Sequence, residues 1–179
     1  MKNRKFAVIS IFAAIIIVLQ VIATYVNFGG FPITLTLIPI IIAGAVYGPY
    51  IGMLMGLVFG VVVDVMVITG ADPSGAIMLA SHPIITILTC LIKGALAGLL
   101  GATAYNKIEN KKFAIVVDAI ITPVTNTLIL YISLILFFDL SFTAMIGAFI
   151  SINFAIELLI NILIAPGLLT LIKKANTRK

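Results

Sequence analysis

Long apolar stretches separated by short polar segments dominate the pattern of hydrophobic and polar positions along the chain. A helix needs about 20 apolar residues to cross the hydrocarbon core of a bilayer, and fewer where neighbouring helices shelter it. Six stretches fit this description: Phe6–Val26, Ile33–Tyr47, Tyr50–Thr69, Ile84–Tyr105, Phe113–Phe138 and a last one within Phe142–Ile172. The pattern therefore predicts an all-α integral membrane protein with six transmembrane helices, which form a single membrane domain over residues 1–179.

The second and third stretches predict a tightly packed hairpin. The second is short and is disturbed by Pro39, and the Gly48-Pro49 pair predicts a sharp turn into the third. Gly52, Gly56 and Gly60 follow at four-residue spacing, which places them on one face of a helix. Because glycine has no side chain, we expect the backbone of a neighbouring helix to approach this face closely.

Composition and charge support a membrane protein and predict its orientation. The chain is 63% hydrophobic and only 9% charged, whereas about a quarter of the residues of a soluble domain are charged. Ten of the 11 Lys and Arg residues fall in clusters at 2–5, 107–112 and 173–179, and the loops between these clusters on the opposite side have none. By the positive-inside rule, both termini are predicted to be cytoplasmic. The net charge of +5 therefore reflects membrane topology and not nucleic-acid binding.

Several classes of function lack the residues that they require. The sequence has no glycine-rich phosphate loop, so the chain is not expected to hydrolyse ATP itself. It has no nucleophile elbow and no Ser–His pair at catalytic spacing. With one histidine and one cysteine, it offers no cluster for a transition metal. We therefore predict a protein that is not an enzyme and that uses no metal and no cofactor.

Two charged residues fall near the middle of predicted spans. Lys93 lies in the fourth span and Glu157 lies in the sixth. A charge at this depth is costly unless it faces a cavity or a partner. The two residues form either a structural ion pair or part of a polar site in which Lys93 meets an acidic ligand, and a pair at the floor of a pocket satisfies both interpretations.

Amide side chains add to this polar group. Asn153, Glu157 and Asn161 recur every fourth residue and form one polar stripe on the last helix. Asn126 follows Pro123 by three residues in the fifth span, where the proline frees a backbone carbonyl. These residues serve either ligand binding or hydrogen bonding between helices, which requires no ligand.

The loops on the side opposite the basic clusters are candidates for lids. The segment NFGGFPIT (27–34) has adjacent glycines flanked by Phe28 and Phe31, which could cover a cavity. The segment 69–83 contains a turn-forming DPSG sequence and is either a short re-entrant or interfacial helix or an ordinary connection. His82 and Thr86 follow at the entrance of the fourth span, where a histidine beside a proline is either a capping residue or a ligand contact.

The remaining carboxylates lie nearer the ends of the spans. Asp64 is in the outer part of the third span and either joins the polar site or meets the lipid headgroups. Asp118 and Asp139 lie close enough to the interfaces that we expect them to be solvated.

The first span carries small residues at four-residue spacing. Ser10 and Ala14 form such a pair, and pairs of this kind allow close helix contact either within the chain or with another membrane protein. An external partner is credible because the rest of this helix has broad apolar faces.

Three segments of the sequence resemble one family of membrane transport proteins. These segments are IPIIIAGAVYGPYIGMLMGLVFG (38–60), LIKGALAGLLGA (91–102) and INFAIELLINILIAPGLLTLIKK (152–174). Together with the basic start and the six predicted spans, they make the chain similar over nearly its whole length to the substrate-binding S components of energy-coupling factor (ECF) vitamin transporters.

The resemblance implies a small, high-affinity vitamin receptor that crosses the bacterial cytoplasmic membrane several times. Its partners would be the vitamin, membrane lipid, a transmembrane coupling subunit and, through that subunit, two ATPases, with no nucleic acid. The implied ligand site lies beneath the first outer loop and against the last three spans. Carried onto this sequence, the site consists of Phe28, Phe31, His82, Thr86, Asn126 and Asn153, with Lys93 and Glu157 deeper. Ser10-xxx-Ala14 takes the place of the Ala-xxx-Ala contact with the coupling subunit.

The resemblance leaves the vitamin open. The absence of Trp disfavours the aromatic vitamins thiamine and riboflavin, and Lys93 suits a carboxylate. Pantothenate fits both features, and ITLTLIPI (33–40) resembles pantothenate-type members. Folate and other water-soluble vitamins or precursors are alternatives. Two alternatives belong to other classes of function. They are an intramembrane enzyme that uses Glu157, Lys93 or His82, and an assembly factor that binds no small molecule.

Overall fold

The structure is almost entirely helical. This computed structural model describes the backbone of residues 2–25, 27–28, 31–32, 35–150 and 152–177, and the side chains of residues 7–25, 35–147 and 154–174. In chain order the elements are α1 (Lys2–Tyr25), β1 (Asn27–Phe28), β2 (Phe31–Pro32), α2 (Leu37–Tyr47), α3 (Pro49–Ile68), α4 (Pro73–Ser81), α5 (Pro83–Lys107), α6 (Lys111–Phe137), α7 (Phe142–Ile150) and α8 (Ile152–Thr177). The two short strands pair antiparallel, with Asn27 opposite Pro32.

Within the described residues, five helices are long and apolar enough to cross a membrane by their length and composition. They are α1, α3, α5, α6 and α8. Helix α2 is a shorter apolar helix of 11 residues. The predicted all-α membrane fold is confirmed, while the count of six spans and the cytoplasmic position of both termini stay predictions.

Pro39 does not interrupt the second apolar segment as predicted, because the helix begins only at Leu37. Proline is tolerated in the first turn of a helix, where the backbone N–H groups have no partner within the helix. The predicted turn at Gly48-Pro49 is confirmed, since α2 ends at Tyr47 and α3 begins at Pro49. Gly48 has a φ of 99°, which glycine adopts without steric clash.

Two predicted segments contain short additional helices. Within 69–83, α4 begins after Asp72, whose side-chain oxygen accepts a hydrogen bond of 3.1 Å from the Gly75 N–H. Such a cap, followed by Pro73 at the first helical position, is a strong helix start. The window predicted for the sixth span contains the short helix α7 in addition to the long helix α8.

The predicted close approach at the glycine face of α3 is confirmed, and the neighbour is α5. A Cβ added at Gly56 would collide with the backbone carbonyl of Gly94, and one added at Gly52 would collide with the carbonyl of Gly98. At Gly60 it would lie 2.6 Å from the carbonyl oxygen of Cys90. These pairs advance by four residues in opposite directions, so α3 and α5 are antiparallel and their backbones are in contact.

Helix α2 is the central helix of the bundle. It contacts α1, α3, α5, α6 and α8, and every residue from Leu37 to Gly44 is buried. Its 11 residues span roughly 16 Å, against about 37 Å for the 25-residue α5. Gly44 packs against Ala102 near the end of α5, so α2 fills the bundle only toward that end.

Lys111 and Lys173 meet at one end of the bundle, which we call the basic end. There the ring of Tyr105 lies between Lys111 and Lys173, whose ammonium nitrogens are 5.1 and 5.6 Å from its centroid. Helix α1 begins at the same end, because Phe12 packs edge-on against Tyr47 with 6.4 Å between the ring centroids. The opposite end, with α4 and the β1–β2 ribbon, is called the ribbon end.

Candidate functional site

Polar side chains from several helices are buried in the interior of the bundle, which is unusual for segments that cross a membrane. Among the described side chains, the buried charged and amide residues are Asp64 on α3, Lys93 on α5, Asp118 on α6, and Glu157 and Asn161 on α8. Asn126 on α6 adds an amide whose oxygen is buried. Such groups are expensive in hydrocarbon unless they are paired or face a polar ligand.

Lys93 is only 8% exposed and contacts α3. Its ammonium nitrogen lies 5.9 Å from the centroid of the Phe59 ring, within the range of a cation–π interaction. The group is also within electrostatic reach of the Asp64 carboxyl. Because α3 and α5 are antiparallel and helical side chains lean toward their own N-termini, the side chains of Lys93 and Asp64 converge from opposite directions.

Asp64 joins this group, so the alternative in which it meets the lipid headgroups is wrong. The residue is 7% exposed, and its carboxyl also interacts with the thiol of Cys90. Among the described residues, no donor reaches Asp64 Oδ1. A buried carboxylate oxygen without a donor is a place where a ligand hydroxyl or N–H would be stabilised.

Asn126 lies at about the depth of Lys93. Two contacts fix the register of α5 against α6: Thr89 and Ser133 share a hydrogen bond of 2.6 Å, and the Thr122 hydroxyl lies 3.5 Å from the carbonyl oxygen of Ala97. Asn126 falls between these contacts, as Lys93 does on the facing helix. Within the described part of the chain, Asn126 Oδ1 is a buried acceptor without a donor.

The polar stripe of α8 faces the interior as predicted, as far as its side chains are described. Glu157 is 9% exposed and Asn161 is fully buried. Asn161 Nδ2 donates a hydrogen bond of 2.8 Å to the carbonyl oxygen of Glu157, while its Oδ1 has no donor among the described residues. The side chain of Asn153 lies outside the described residues. The pairing of Lys93 with Glu157 stays a prediction.

The residues predicted at the ribbon end form a second group. The exposed His82 ring packs edge-on against Phe138, with 5.0 Å between the ring centroids. The Thr86 hydroxyl is buried and donates a hydrogen bond of 2.9 Å to the His82 carbonyl. His82 is roughly 16 Å from Lys93 along α5, so one compact ligand would not touch both. The side chains of Phe28 and Phe31 lie outside the described residues, although their backbones belong to the β1–β2 ribbon.

Asp118 is fully buried, so the prediction that it is solvated is wrong. Its Oδ1 accepts a hydrogen bond of 2.9 Å from the hydroxyl of Thr122, one helical turn along α6. The carboxylate fits between the helices because it packs against Gly101 of α5, which has no side chain. The four-residue spacing of Asp118 and Thr122 is the sequence signal that places the two groups on one face. In contrast, Asp139 is exposed, as predicted.

Ser10 and Ala14 lie on an exposed face of α1. This helix is the least buried of the five candidate spans, with 11% of its window buried. Ile11 and Val18, which are 58% and 56% exposed, extend the same surface. The exposure of this surface leaves it accessible to lipid or to another membrane protein.

The interior group can bind a ligand better than it can catalyse a reaction. It combines one buried cation, Lys93, with acceptor oxygens of Asp64, Asn126 and Asn161 that lack donors among the described residues. Such a set is complementary to a small polar molecule that carries an acidic group and several donors. The described residues contain no group of three or more His, Cys, Asp and Glu that could hold a metal ion.

Comparison with known families gives one match that covers most of the sequence. The family described as "ECF transporter, substrate-specific component" matches residues 4–169. Comparison with curated proteins and with solved structures gives no significant match. The family match covers far more than half of the 179 residues. The chain therefore belongs to the substrate-specific components of ECF transporters, which are multi-pass membrane subunits that bind a substrate for uptake and are not enzymes.

Proposed function

We propose that the substrate of this subunit is pantothenate. The vitamin would be bound from the outer side of the membrane and taken up with energy from a separate ECF module of coupling subunit and ATPases, as the family implies. The observation that carries the proposal is the buried Lys93 in an interior that also holds three buried acceptor oxygens, of Asp64, Asn126 and Asn161, without donors among the described residues.

The chemistry of pantothenate matches this group. The molecule has one carboxylate, two hydroxyl groups and one amide N–H, and it has no ring. Its carboxylate would pair with the ammonium group of Lys93, and its hydroxyl and amide donors would satisfy Asp64, Asn126 and Asn161. A buried ion stabilises an opposite charge strongly because little water competes for it. Burial of unpaired polar groups is unfavourable. A ligand that pairs with all of them is therefore stabilised both by the interaction of opposite charges and by the hydrogen bonds that it completes.

The position of helix α2 supports a site at this depth. This central helix begins at Leu37, and Thr36 just before it is fully buried and donates a hydrogen bond of 3.0 Å to Gln20 Oε1. On the ribbon side of Leu37, α2 therefore does not occupy the centre of the bundle. The β1–β2 ribbon directly precedes α2 in the chain. We infer that the ligand lies between the start of α2 and the ribbon.

The remaining predicted residues complete this proposed site. Phe28 and Phe31 would cover the ligand from the ribbon, and His82 with Thr86 would line its entrance. Asn153 and Glu157 would contribute from α8, where Glu157 is buried. The exposed Ser10 and Ala14 face of α1 would contact the coupling subunit, because small residues allow another helix to approach closely.

A substitution at Lys93 tests the proposal when two ligands are compared. Pantothenol is the neutral alcohol that corresponds to pantothenate and carries a hydroxymethyl group in place of the carboxylate. A charged hydrogen bond contributes about 1.5–3 kcal/mol, so Lys93→Met is expected to weaken pantothenate binding by roughly 10- to 150-fold. Calorimetric titration measures the binding of both ligands. The affinity for pantothenol is expected to change by less than about threefold, because a substitution that removes no direct contact typically changes the free energy by roughly 0.5 kcal/mol.

Two further variants keep this test interpretable. Lys107→Met removes an exposed lysine in the last turn of α5 and should bind both ligands as the unchanged protein does. Asp64→Asn combined with Lys93→Met removes the interacting charges of α3 and α5 together and guards against misfolding from an unpaired carboxylate at Asp64. Equal losses for both ligands would make Lys93 a structural residue. If a folate or another vitamin binds more tightly than pantothenate, the proposed substrate is wrong and the family assignment stands.

A further inference from the structure

Helix α1 carries one amide side chain, and this side chain lies on the face that packs into the bundle. Gln20 is the only residue with an amide or charged side chain between Ala7 and Tyr25. It lies one turn from both Ile16 and Ala23, which are buried, so the three residues share one inward face of the helix. An amide is costly in hydrocarbon, and this orientation turns the Gln20 side chain away from the lipid.

A buried threonine fixes the orientation of this amide. The hydroxyl of Thr36, which is fully buried, donates a hydrogen bond of 3.0 Å to Gln20 Oε1. Because the oxygen and the nitrogen of an amide project in different directions from its carbon, Nε2 points away from Thr36. Within the described part of the chain, no acceptor pairs with Gln20 Nε2. Its N–H groups are therefore available to a ligand.

The register of the α2–α3 hairpin gives the height of Thr36 in the bundle. A Cβ added at Gly44 would lie 3.3 Å from the Cα of Gly52, so these two glycines lie side by side. Eight residues from each glycine toward the ribbon end are Thr36 before α2 and Gly60 on α3. Both positions are therefore about 12 Å from the glycine contact and lie at one height.

The charged groups of α3 and α5 approach the same height from its two sides. Gly60 packs against α5 at a position three residues before Lys93, about 4.5 Å along the helix. Asp64 lies about 6 Å beyond Gly60 toward the ribbon end. Because helical side chains lean toward their own N-termini, the Lys93 ammonium and the Asp64 carboxyl both extend toward this height. The amide of Gln20, which is bonded to Thr36, therefore lies level with the interior group.

A hydrogen-bond donor at this position complements the interior group. That group offers the cation of Lys93 and acceptor oxygens of Asp64, Asn126 and Asn161. In the proposed complex these residues take the carboxylate and the donors of pantothenate, and the amide carbonyl oxygen of the vitamin has no assigned partner. Burial of a carbonyl oxygen without a donor is unfavourable. The amide nitrogen of Gln20 is a donor of the required kind.

We propose that Gln20 determines specificity by donating a hydrogen bond from Nε2 to the carbonyl oxygen of the bound vitamin. Thr36 is a positioning residue, because its hydroxyl holds the amide of Gln20 in the donating orientation. This inference rests on the proposed function, since the amide carbonyl group belongs to pantothenate. It gives α1 a role in ligand binding, on a different face from Ser10 and Ala14.

Calorimetric titration of the full-length protein with pantothenate and with its thioamide analogue tests the contact of Gln20. The thioamide has sulfur, a weaker acceptor, in place of the carbonyl oxygen. Gln20→Met removes the amide and keeps a side chain of similar length. It should weaken pantothenate binding by roughly 5- to 150-fold, because a buried carbonyl oxygen loses its donor. Binding of the thioamide should change by less than about threefold.

The positioning role of Thr36 is tested with isosteric variants. Thr36→Val removes the hydroxyl and should weaken pantothenate binding by roughly 2- to 10-fold, because the amide of Gln20 is then free to rotate. Thr36→Ser restores the hydroxyl and should bind pantothenate as the unchanged protein does. Thr24→Val is the matched control, because it removes a hydroxyl that bonds to the backbone carbonyl of Gln20 at 2.9 Å and leaves the amide untouched. Gel filtration and circular dichroism establish that each variant is folded.

The outcomes separate this inference from the choice of vitamin. If Gln20→Met binds pantothenate normally, or loses affinity equally for pantothenate and the thioamide, the inference is overturned and the proposed substrate stands. If Thr36→Ser binds as weakly as Thr36→Val, the positioning role is overturned.

A failure of pantothenate to bind the unchanged protein leads to a second arm. The variants are then titrated with the vitamin that binds most tightly in a panel of water-soluble vitamins. A loss of affinity in Gln20→Met but not in Thr24→Val would support the role of Gln20 and reject pantothenate. If both variants bind that vitamin equally, or if no vitamin in the panel binds, both proposals are overturned.

Discussion

Substitution of Gly56 by alanine should separate α3 from α5. The added Cβ would collide with the carbonyl group of Gly94, and backbone atoms cannot rotate away as a side chain can. The size of the effect can be gauged at Gly60, where an added Cβ would lie 2.6 Å from the Cys90 carbonyl oxygen and an ordinary contact begins at 3.4 Å. A separation of 0.8 Å would restore an ordinary contact at Gly60, and Gly56 requires more.

The free energy follows from this displacement. Overpacking of a well-packed interior costs about 1–3 kcal/mol. A gap of 0.5–1 Å elsewhere along the helix pair also removes about a quarter to a half of the dispersion energy of each contact. Alanine gains about 1 kcal/mol over glycine in helix propensity. We expect the collision and the lost contacts to outweigh this gain at Gly56, so that Gly56→Ala lowers the free energy of unfolding by about 1–2 kcal/mol.

Unfolding in mixed micelles by titration with sodium dodecyl sulfate, followed by circular dichroism, measures this change. Gly167→Ala is the matched control, because Gly167 is also helical but an added Cβ meets no atom within 4 Å. The control should be neutral or more stable by up to about 1 kcal/mol. We expect Gly60→Ala to fall between the two. If Gly56→Ala is as stable as the control, α3 and α5 are not in backbone contact and the described helix register is wrong.

Two further predictions concern residues outside the proposed substrate site. Substitution of both Ser10 and Ala14 by leucine should abolish capture of the ECF module from detergent extracts and leave the affinity for the vitamin unchanged. The reason is that both positions are exposed on α1. Retained capture would place the interface with the coupling subunit elsewhere. Asp118→Asn should leave unfolding in dodecyl sulfate unchanged or shift it to higher concentration, because an amide keeps the hydrogen bond with Thr122 and removes a charged form that is unfavourable in the interior. Loss of uptake by a stable Asp118→Asn protein would instead give this carboxylate a role in transport.

Periodicity and small residues were sufficient to predict the long helices and the close backbone approach at one face of α3. The four-residue spacing of Gly52, Gly56 and Gly60 predicted a close backbone approach, and the structure identifies α5 as the partner. The partner could not be chosen from spacing alone, because small-residue pairs also occur in α1 and α2. The choice depends on three-dimensional packing, in which the carbonyls of Gly94 and Gly98 fit against these positions.

Proline and carboxylate positions were harder to interpret. The effect of Pro39 depends on where α2 begins, and the sequence pattern does not define a helix start to within a turn. Asp118 was expected at the interface because of its distance from the end of the apolar segment. Its burial depends on the space left by Gly101 on another helix, which sequence distance does not reveal.

The polar site was predicted in part. Lys93 and Glu157 are buried as their mid-span positions indicated, since a charge at that depth has to face the interior. The electrostatic interaction of Lys93 with Asp64 was not predicted, because it arises where two antiparallel helices bring their side chains toward each other. His82 is exposed at the ribbon end and lies too far along α5 to share a compact ligand with Lys93.

The central claim is that this protein is a receptor for pantothenate. A direct measurement of vitamin binding tests this claim best. The full-length protein is purified, the small molecules that accompany it are identified by mass spectrometry, and a panel of water-soluble vitamins is titrated. The account predicts that pantothenate accompanies the protein and binds more tightly than every other vitamin in the panel. If no vitamin binds with better than micromolar affinity, or if another vitamin binds more tightly than pantothenate, the claim is contradicted.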